Sequence, residues 1–268
     1  MGRTSSPNSN QFSTKLKLGQ SLSPFRKKIS DKDKIPAGTK AILLDAGGTL
    51  FRPFPSVGHH YSEVAGKYGC RVSATEVEAA FRRVWSEHDG LGDLRSHSDE
   101  KIEKEFWRKI VKAVFKDFKG LKAFDSFFDE LHTLFAEPGV WKLYPETEEV
   151  LRLLKDRGYI LGMVSNWDSR LLKLCQGLGI DRYFDFKVIS AVFGAAKPNP
   201  KIFEEALRIA NVPVGEVIHV GDSLEDDVRG AHLAGIKAIW LDRSGRHATL
   251  TKDHQDFVTV IKDLSELL

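Results

Sequence analysis

A chain of 268 residues with 41% apolar content is long enough for one substantial core, or for a core plus a smaller domain. No run approaches the roughly 18 consecutive apolar residues of a membrane-spanning helix, and two cysteines without a CxxC pattern suit a reducing compartment and argue against a disulfide framework. Residues 1–40 hold nine Lys/Arg against Asp31 and Asp33, which leaves 31 Lys/Arg against 35 Asp/Glu in the rest. The basic balance therefore belongs to the tail, and neither a nucleic-acid-binding body nor a membrane partner is expected.

Residues 1–38 are Ser-rich, carry no acid before Asp31 and contain few apolar side chains. Such a segment cannot bury enough surface to fold alone. Its composition is that of an organelle transit peptide, which predicts a plastid or mitochondrial protein. A disordered extension on a cytoplasmic protein is the alternative, and Met1-Gly2 with Ser6 also fits an N-myristoylation pattern.

From residue 41 onward, short Val/Ile-rich runs alternate with helical patterns. Strands are predicted at Ala41–Asp45, Tyr159–Ser165, Phe186–Ser190, Val217–Val220 and Ala238–Leu241. Helices are predicted at about 146–157, 168–178, 200–211, 224–235 and 261–268. This alternation predicts an α/β domain built on a doubly wound parallel, Rossmann-like sheet, formed by residues 39–55 and 138–268. Residues 56–137 lack strand-like runs. Their apolar residues recur at helical spacing, as in Phe106, Trp107, Ile110, Val111, Val114 and Phe115, or Phe124, Phe127, Phe128, Leu131, Leu134 and Phe135. The expectation is a helical-bundle cap of about four helices inserted after strand one, with Ser73 and Ser98 as helix caps.

Four islands carry chemistry. The first is Asp45-Ala-Gly-Gly-Thr49, the second Met163-Val-Ser165-Asn166, the third Ala196-Lys197-Pro-Asn-Pro200, and the fourth His219-Val-Gly-Asp222-Ser-Leu-Glu-Asp226-Asp227. Asp45, Ser165 and Asp222 fall at carboxyl ends of predicted strands, where ligands bind in such sheets. A carboxylate that attacks phosphorus needs its repulsion from phosphate screened, and a hard cation such as Mg²⁺ does this with one or two carboxylates and the phosphate itself. Asp45 and Asp222 supply carboxylates and Lys197 a fixed positive charge. Ser165 lies near a helix start, a natural phosphate cradle. Gly47 and Gly48 let backbone approach a ligand, and Asn199 with Pro200 opens a helix.

These islands, in this order, resemble the haloacid dehalogenase-like (HAD) hydrolase superfamily over about residues 40–268, with the insert similar to that family's helical cap. The resemblance implies Asp45 as a nucleophile forming an aspartyl-phosphate. It implies Gly48, Thr49, Ser165, Asn166 and Lys197 around a phosphoryl group, and Asp45, Gly47 (through its carbonyl), Asp222 and Asp227 around Mg²⁺. Both GDxxxD (Asp226) and GDxxxxD (Asp227) spacings are present, and Asp227 is favoured as the residue that supports the metal ligands Asp45, Asp222 and the Gly47 carbonyl, with Asp226 left open.

The chain departs from the pattern at Gly47, where the family's phosphatases place a second Asp that protonates the leaving alkoxide and then activates water. General acid–base catalysis is worth about 10²–10⁴-fold. Three readings follow. The first is a phosphohydrolase acting on a small phosphorylated molecule, with the acid supplied from the cap (His59, His60, Glu87, Asp89 or His97) or not needed. The second is a metal-independent dehalogenase, disfavoured because Asp222, Asp226 and Asp227 are kept. The third is a catalytically weak relative that serves as a phospho-ligand-binding or protein-interaction module.

Overall fold

A computed structural model describes residues 34–87, 97–245 and 258–268 of the chain. The expectations for residues 1–33 and for Asp89 lie outside the described residues. Among those described, no helix is long and apolar enough to cross a membrane.

Six strands form one parallel sheet: β1 (Ala41–Leu44), β4 (Ile160–Ser165), β5 (Phe186–Ile189), β6 (Val217–Gly221), β7 (Lys237–Leu241) and β8 (Thr259–Ile261). Their spatial order is β5-β4-β1-β6-β7-β8. The chain thus steps outward from β1 in one direction, then crosses back and continues in the other. Such an order creates a switch point at β1, where the helices leaving its two neighbours diverge and open a crevice. Along β1 the side chains alternate, so Ile42 and Leu44 join the cluster on one face while Ala41 and Leu43 join that on the other. All four are fully buried, as expected of a central parallel strand covered by helices on both sides. Parallel pairing to β4 (Ala41 opposite Ile160) and to β6 (Ala41 opposite Val217) brings Leu44, Met163 and Val220 level. The three strands end within two residues of that level, which brings the residues at and after their ends side by side.

Five strands fall where the sequence places them. The sixth, β8, was not anticipated, and it corrects the helix predicted over 261–268. Thr259-Val260-Ile261 is β-branched and pairs with β7, and only a short 3₁₀ turn, Leu264–Leu267, follows, capped by Asp263. The predicted helix over 224–235 is also altered. Leu224–Arg229 is a π-helical turn and Gly230–Leu233 a short α-helix. The Val228 N–H reaches the Ser223 carbonyl, five residues back, at 3.2 Å.

The insert contains α1 (Val57–Lys67), α2 (Ala74–Glu87), α3 (Glu100–Val114) and α4 (Phe124–Leu134). Ser73 caps α2 as expected, with Glu76 returning to the Ser73 N–H. Asp99, rather than the expected Ser98, caps α3, because the Ser98 hydroxyl is drawn to Glu103. The helices close on an aromatic-rich cluster that includes Tyr61, Phe106, Phe115, Phe127 and Phe128, and that also takes in Ala196 from the sheet side. The chain leaves for the insert and returns from it through an antiparallel ribbon, β2 (Phe51–Pro53) against β3 (Trp141–Leu143). Each strand has three residues, too short for a periodicity signal.

Candidate active site

Asp45 follows β1, Ser165 ends β4, and Lys197 stands in the loop before the helix Pro200–Ala210, whose cap is Asn199 with Pro200 in its first turn. These three converge. The Lys197 ammonium donates to Asp45 Oδ1 at 2.7 Å, the Ser165 hydroxyl donates to the same oxygen at 3.0 Å, and the Thr49 hydroxyl stands 3.5 Å from Oδ2. Lys197 donates a second bond, at 2.6 Å, to Asp227 Oδ1. Asp45 is 7% exposed, Lys197 2% and Asp227 1%, so this is a buried ion network rather than a surface pair.

Of the two acidic spacings, Asp227 is the one turned toward Lys197. Its Oδ1 also pairs with His219 Nε2 at 2.9 Å, and its Oδ2 accepts from the Ser223 N–H at 2.9 Å. Gly221 makes room for this carboxylate, since a Cβ there would lie 2.1 Å from Asp227 Cγ. Asp227, expected beside the metal, lies with Asp45 and Asp222 and also anchors Lys197. His219 was missed as a site residue. Its only signal is one polar side chain in an apolar strand, Val217-Ile-His-Val220, and it is fully buried.

Asn166, expected at the phosphate, clasps the backbone of Lys197. Its amide nitrogen donates to the Lys197 carbonyl at 2.9 Å and its oxygen accepts from the Lys197 N–H at 2.7 Å. Gly48 has φ +81°, a left-handed conformation suited to glycine. Its N–H donates to the Phe51 carbonyl at 2.9 Å, and the Asp222 carboxylate lies where its Cβ would be, 2.7 Å from Oδ2. Thr49 is fully buried, and its carbonyl accepts from Arg243 at 2.9 Å. Arg243, which also pairs with Glu146 at 2.7 Å, carried no sequence signal.

The electrostatics follow from burial against pairing. Burial pushes the Asp45 carboxyl above its ordinary value; Lys197 opposes this and the Asp227 charge adds to it. Burial also works to raise Asp227, but the Lys197 ammonium and the His219 hydrogen bond hold it well below the usual carboxylate range. Burial works to lower Lys197, and the two carboxylates outweigh it and hold the ammonium above its ordinary value. Lys197 and Asp227 are therefore a fixed ion pair beside Asp45.

Ligand atoms of Asp45, Asp222 and Asp227 lie within 4.8 Å of one another. An all-oxygen, carboxylate-rich set of this kind suits a hard divalent cation. The cap residues considered as acids have their own surroundings among the described residues. His59 pairs with Glu63 at 3.4 Å, His97 with Asp99 at 3.5 Å, and His60 bonds the Phe54 carbonyl at 2.9 Å, while Glu87 is exposed.

A family model described as haloacid dehalogenase-like hydrolase matches residues 39–235. This chain belongs to the haloacid dehalogenase-like hydrolases. A relative in Bos taurus, haloacid dehalogenase-like hydrolase domain-containing protein 3, is 32% identical over 206 residues, which span 74% of this chain and 79% of that protein. A phosphoserine phosphatase of Thermus thermophilus is 32% identical over 228 residues, 77% of this chain and 90% of that one. Among solved structures, a HAD phosphatase from Thermococcus onnurineus superposes with a TM-score of 0.59 at 28% identity, covering 85% of this chain and 96% of that one. The six-stranded parallel sheet is thus the Rossmann-like core of a HAD hydrolase.

Proposed function

We propose that this HAD hydrolase is a Mg²⁺-dependent phosphohydrolase that acts on a small phosphorylated molecule through a phosphorylated Asp45. The observation that carries the reading is the grip on Asp45 Oδ1 by Ser165 and Lys197, which aims the carboxylate and leaves a fixed ammonium beside it. The similarity to a phosphoserine phosphatase and to a HAD phosphatase supports the same chemistry.

Asp45 attacks phosphorus, and the P–O bond to the leaving group breaks. The Lys197 ammonium offsets charge on the phosphoryl oxygens, and the Ser165 hydroxyl orients the nucleophile. Asn166 fixes the Lys197 backbone so that the ammonium does not wander. Water then attacks the aspartyl-phosphate and releases phosphate. Asp45, Asp222 and the Gly47 carbonyl would hold Mg²⁺, because both oxygens of Asp227 are committed to Lys197, His219 and Ser223. When bound, that cation supplies charge neutralisation between the carboxylates and the incoming phosphate.

The test is Mg²⁺-dependent phosphate release from a panel of phosphate esters and acyl phosphates, with Asp45→Asn as the control. The expected outcome is turnover by the native chain and loss of about 10⁴-fold or more in the variant, the scale seen when a nucleophile is removed. A chain inert toward the whole panel overturns the reading. If vanadate with Mg²⁺ then still raises its melting temperature, a binding role takes its place.

A further inference from the structure

The place of the missing acid is filled. A Cβ built on Gly47 would lie 2.8 Å from Trp167 Cζ3, 3.5 Å from Cη2 and 3.8 Å from Cε3. The six-membered ring of Trp167 therefore stands where a side chain at residue 47 would begin. A separation below about 3.0 Å is closer than carbon atoms pack, so no water occupies that point either. Two other rings pack against it. Phe51 meets it edge-on with centroids 5.9 Å apart, and Trp141 packs at 5.2 Å. Its backbone N–H donates to the Ser190 hydroxyl at 2.9 Å, and that hydroxyl lies 2.7 Å from Glu103 Oε1 on α3 of the insert. The indole is thus braced by the ribbon, and the Trp167 backbone is tied through Ser190 to the cap.

We infer that Gly47 and Trp167 act as one specificity device: an aromatic wall replaces the acid, and the site selects phosphoryl donors whose leaving group departs without a proton. This rests on the phosphohydrolase reading above. In the first step the Asp45 Oδ–P bond forms and the P–O bond to the leaving group breaks, with the electron pair departing on an oxygen that stays an anion. Acyl phosphates and phosphates of acidic phenols meet that requirement, whereas alkyl phosphates do not. In the second step water adds to phosphorus, the carboxylate leaves with its electron pair, and the water proton passes to solvent.

The test is kcat/KM for acetyl phosphate, for aryl phosphates of graded phenol acidity and for an alkyl phosphate, with Mg²⁺. The native chain, Gly47→Asp, Trp167→Ala and the double variant Gly47→Asp/Trp167→Ala are compared. The native chain is expected to lose rate steeply as the leaving group becomes more basic. Gly47→Asp alone gains little, because the ring holds the space, and its melting temperature falls. The double variant gains on the order of 10²-fold on the alkyl phosphate, within the range a positioned acid supplies. Its stability loss is smaller than the sum of the single losses, as expected for groups in contact. Three results overturn the inference: a native rate indifferent to leaving-group basicity, a Gly47→Asp gain equal to that of the double variant, or additive stability losses. A native chain inert toward every donor beside an active double variant overturns the selection and leaves Asp45 chemistry standing. Inertness of both overturns the phosphohydrolase reading, and the selection falls with it.

Discussion

The sheet and the cap solve the packing problem with different side chains. The sheet buries Ile42, Leu44, Leu161, Val220 and Ile239, almost all aliphatic. The cap buries Tyr61, Phe106, Phe115, Phe127 and Phe128, with rings such as Phe115 and Phe127 meeting edge-on at 4.9 Å. Strands are already fixed at set spacing by backbone hydrogen bonds, so modest side chains fill the gap to the helices. Four helices share no backbone bonds, and large rings from each must span the space between them. Edge-on aromatic pairs add about 0.5–1.5 kcal/mol each beyond the area they bury. The difference also divides the labour. The sheet ends present the charged chemistry, while among the described residues the cap holds little buried charge except at the seam, where Glu103 and Ser190 meet.

The contrast can be broken most forcefully at Lys197. Lys197→Met leaves Asp45 and Asp227 buried together without their shared cation. Loss of one partner from such a network costs about 3–5 kcal/mol, read as a drop in melting temperature together with loss of turnover. An unchanged melting temperature would mean that the network is not part of the core's stability. Phe127→Ala probes the other side. Emptying that site costs about 3–5 kcal/mol, and a single unfolding transition in calorimetry is expected because Ala196 ties the cap cluster to the loop of Lys197. Two separate transitions would show that cap and sheet unfold apart.

A smaller effect is expected from Asn166→Ala, which releases the Lys197 backbone. Misplacement of a catalytic group costs up to about 10²-fold, so kcat/KM should fall strongly with little change in melting temperature. Equal activity would make the clasp incidental. The smallest effect is expected at the seam. Burial, eased in part by Ser98 and Ser190, holds the Glu103 carboxyl above its ordinary value, with Asp168 and Glu100 adding to the rise. A group raised on folding stabilises fully below its unfolded pKa and loses that contribution as pH rises through the folded one. Glu103→Gln should therefore flatten the decline in stability between mildly acidic and neutral pH. A melting-temperature profile parallel to native would count against that assignment.

The sheet was largely legible because each buried strand is a short Val/Ile run that ends at a polar or glycine residue. Asp45, Ser165 and Asp222 stood out for the same reason, since polar groups at strand ends interrupt apolar runs, and Lys197 stood out in the Lys-Pro-Asn-Pro run that opens a helix. What escaped notice depends on contacts between distant segments. The ribbon strands have three residues each, and β8 is an edge strand recognisable only by its pairing with β7. Asn166 shows its clasp only once Lys197 is beside it. Trp167 reads as an ordinary aromatic after a strand until Gly47 is brought against it. Glu103 reads as one more charge on an amphipathic helix until Ser98 and Ser190 enclose it.

The placement of β1 also bears on how the chain acquires its site. Ala41 pairs with Ile160 on one side and Val217 on the other, so the strand bearing Asp45 bonds only to segments made long after it. Contacts between residues so distant in sequence carry a loop-closure cost and form slowly. The β4–β5 and β6–β7 pairings, by contrast, join segments close in sequence. Asp45 can therefore meet Ser165 and Lys197 only once the long-range pairings of β1 are made.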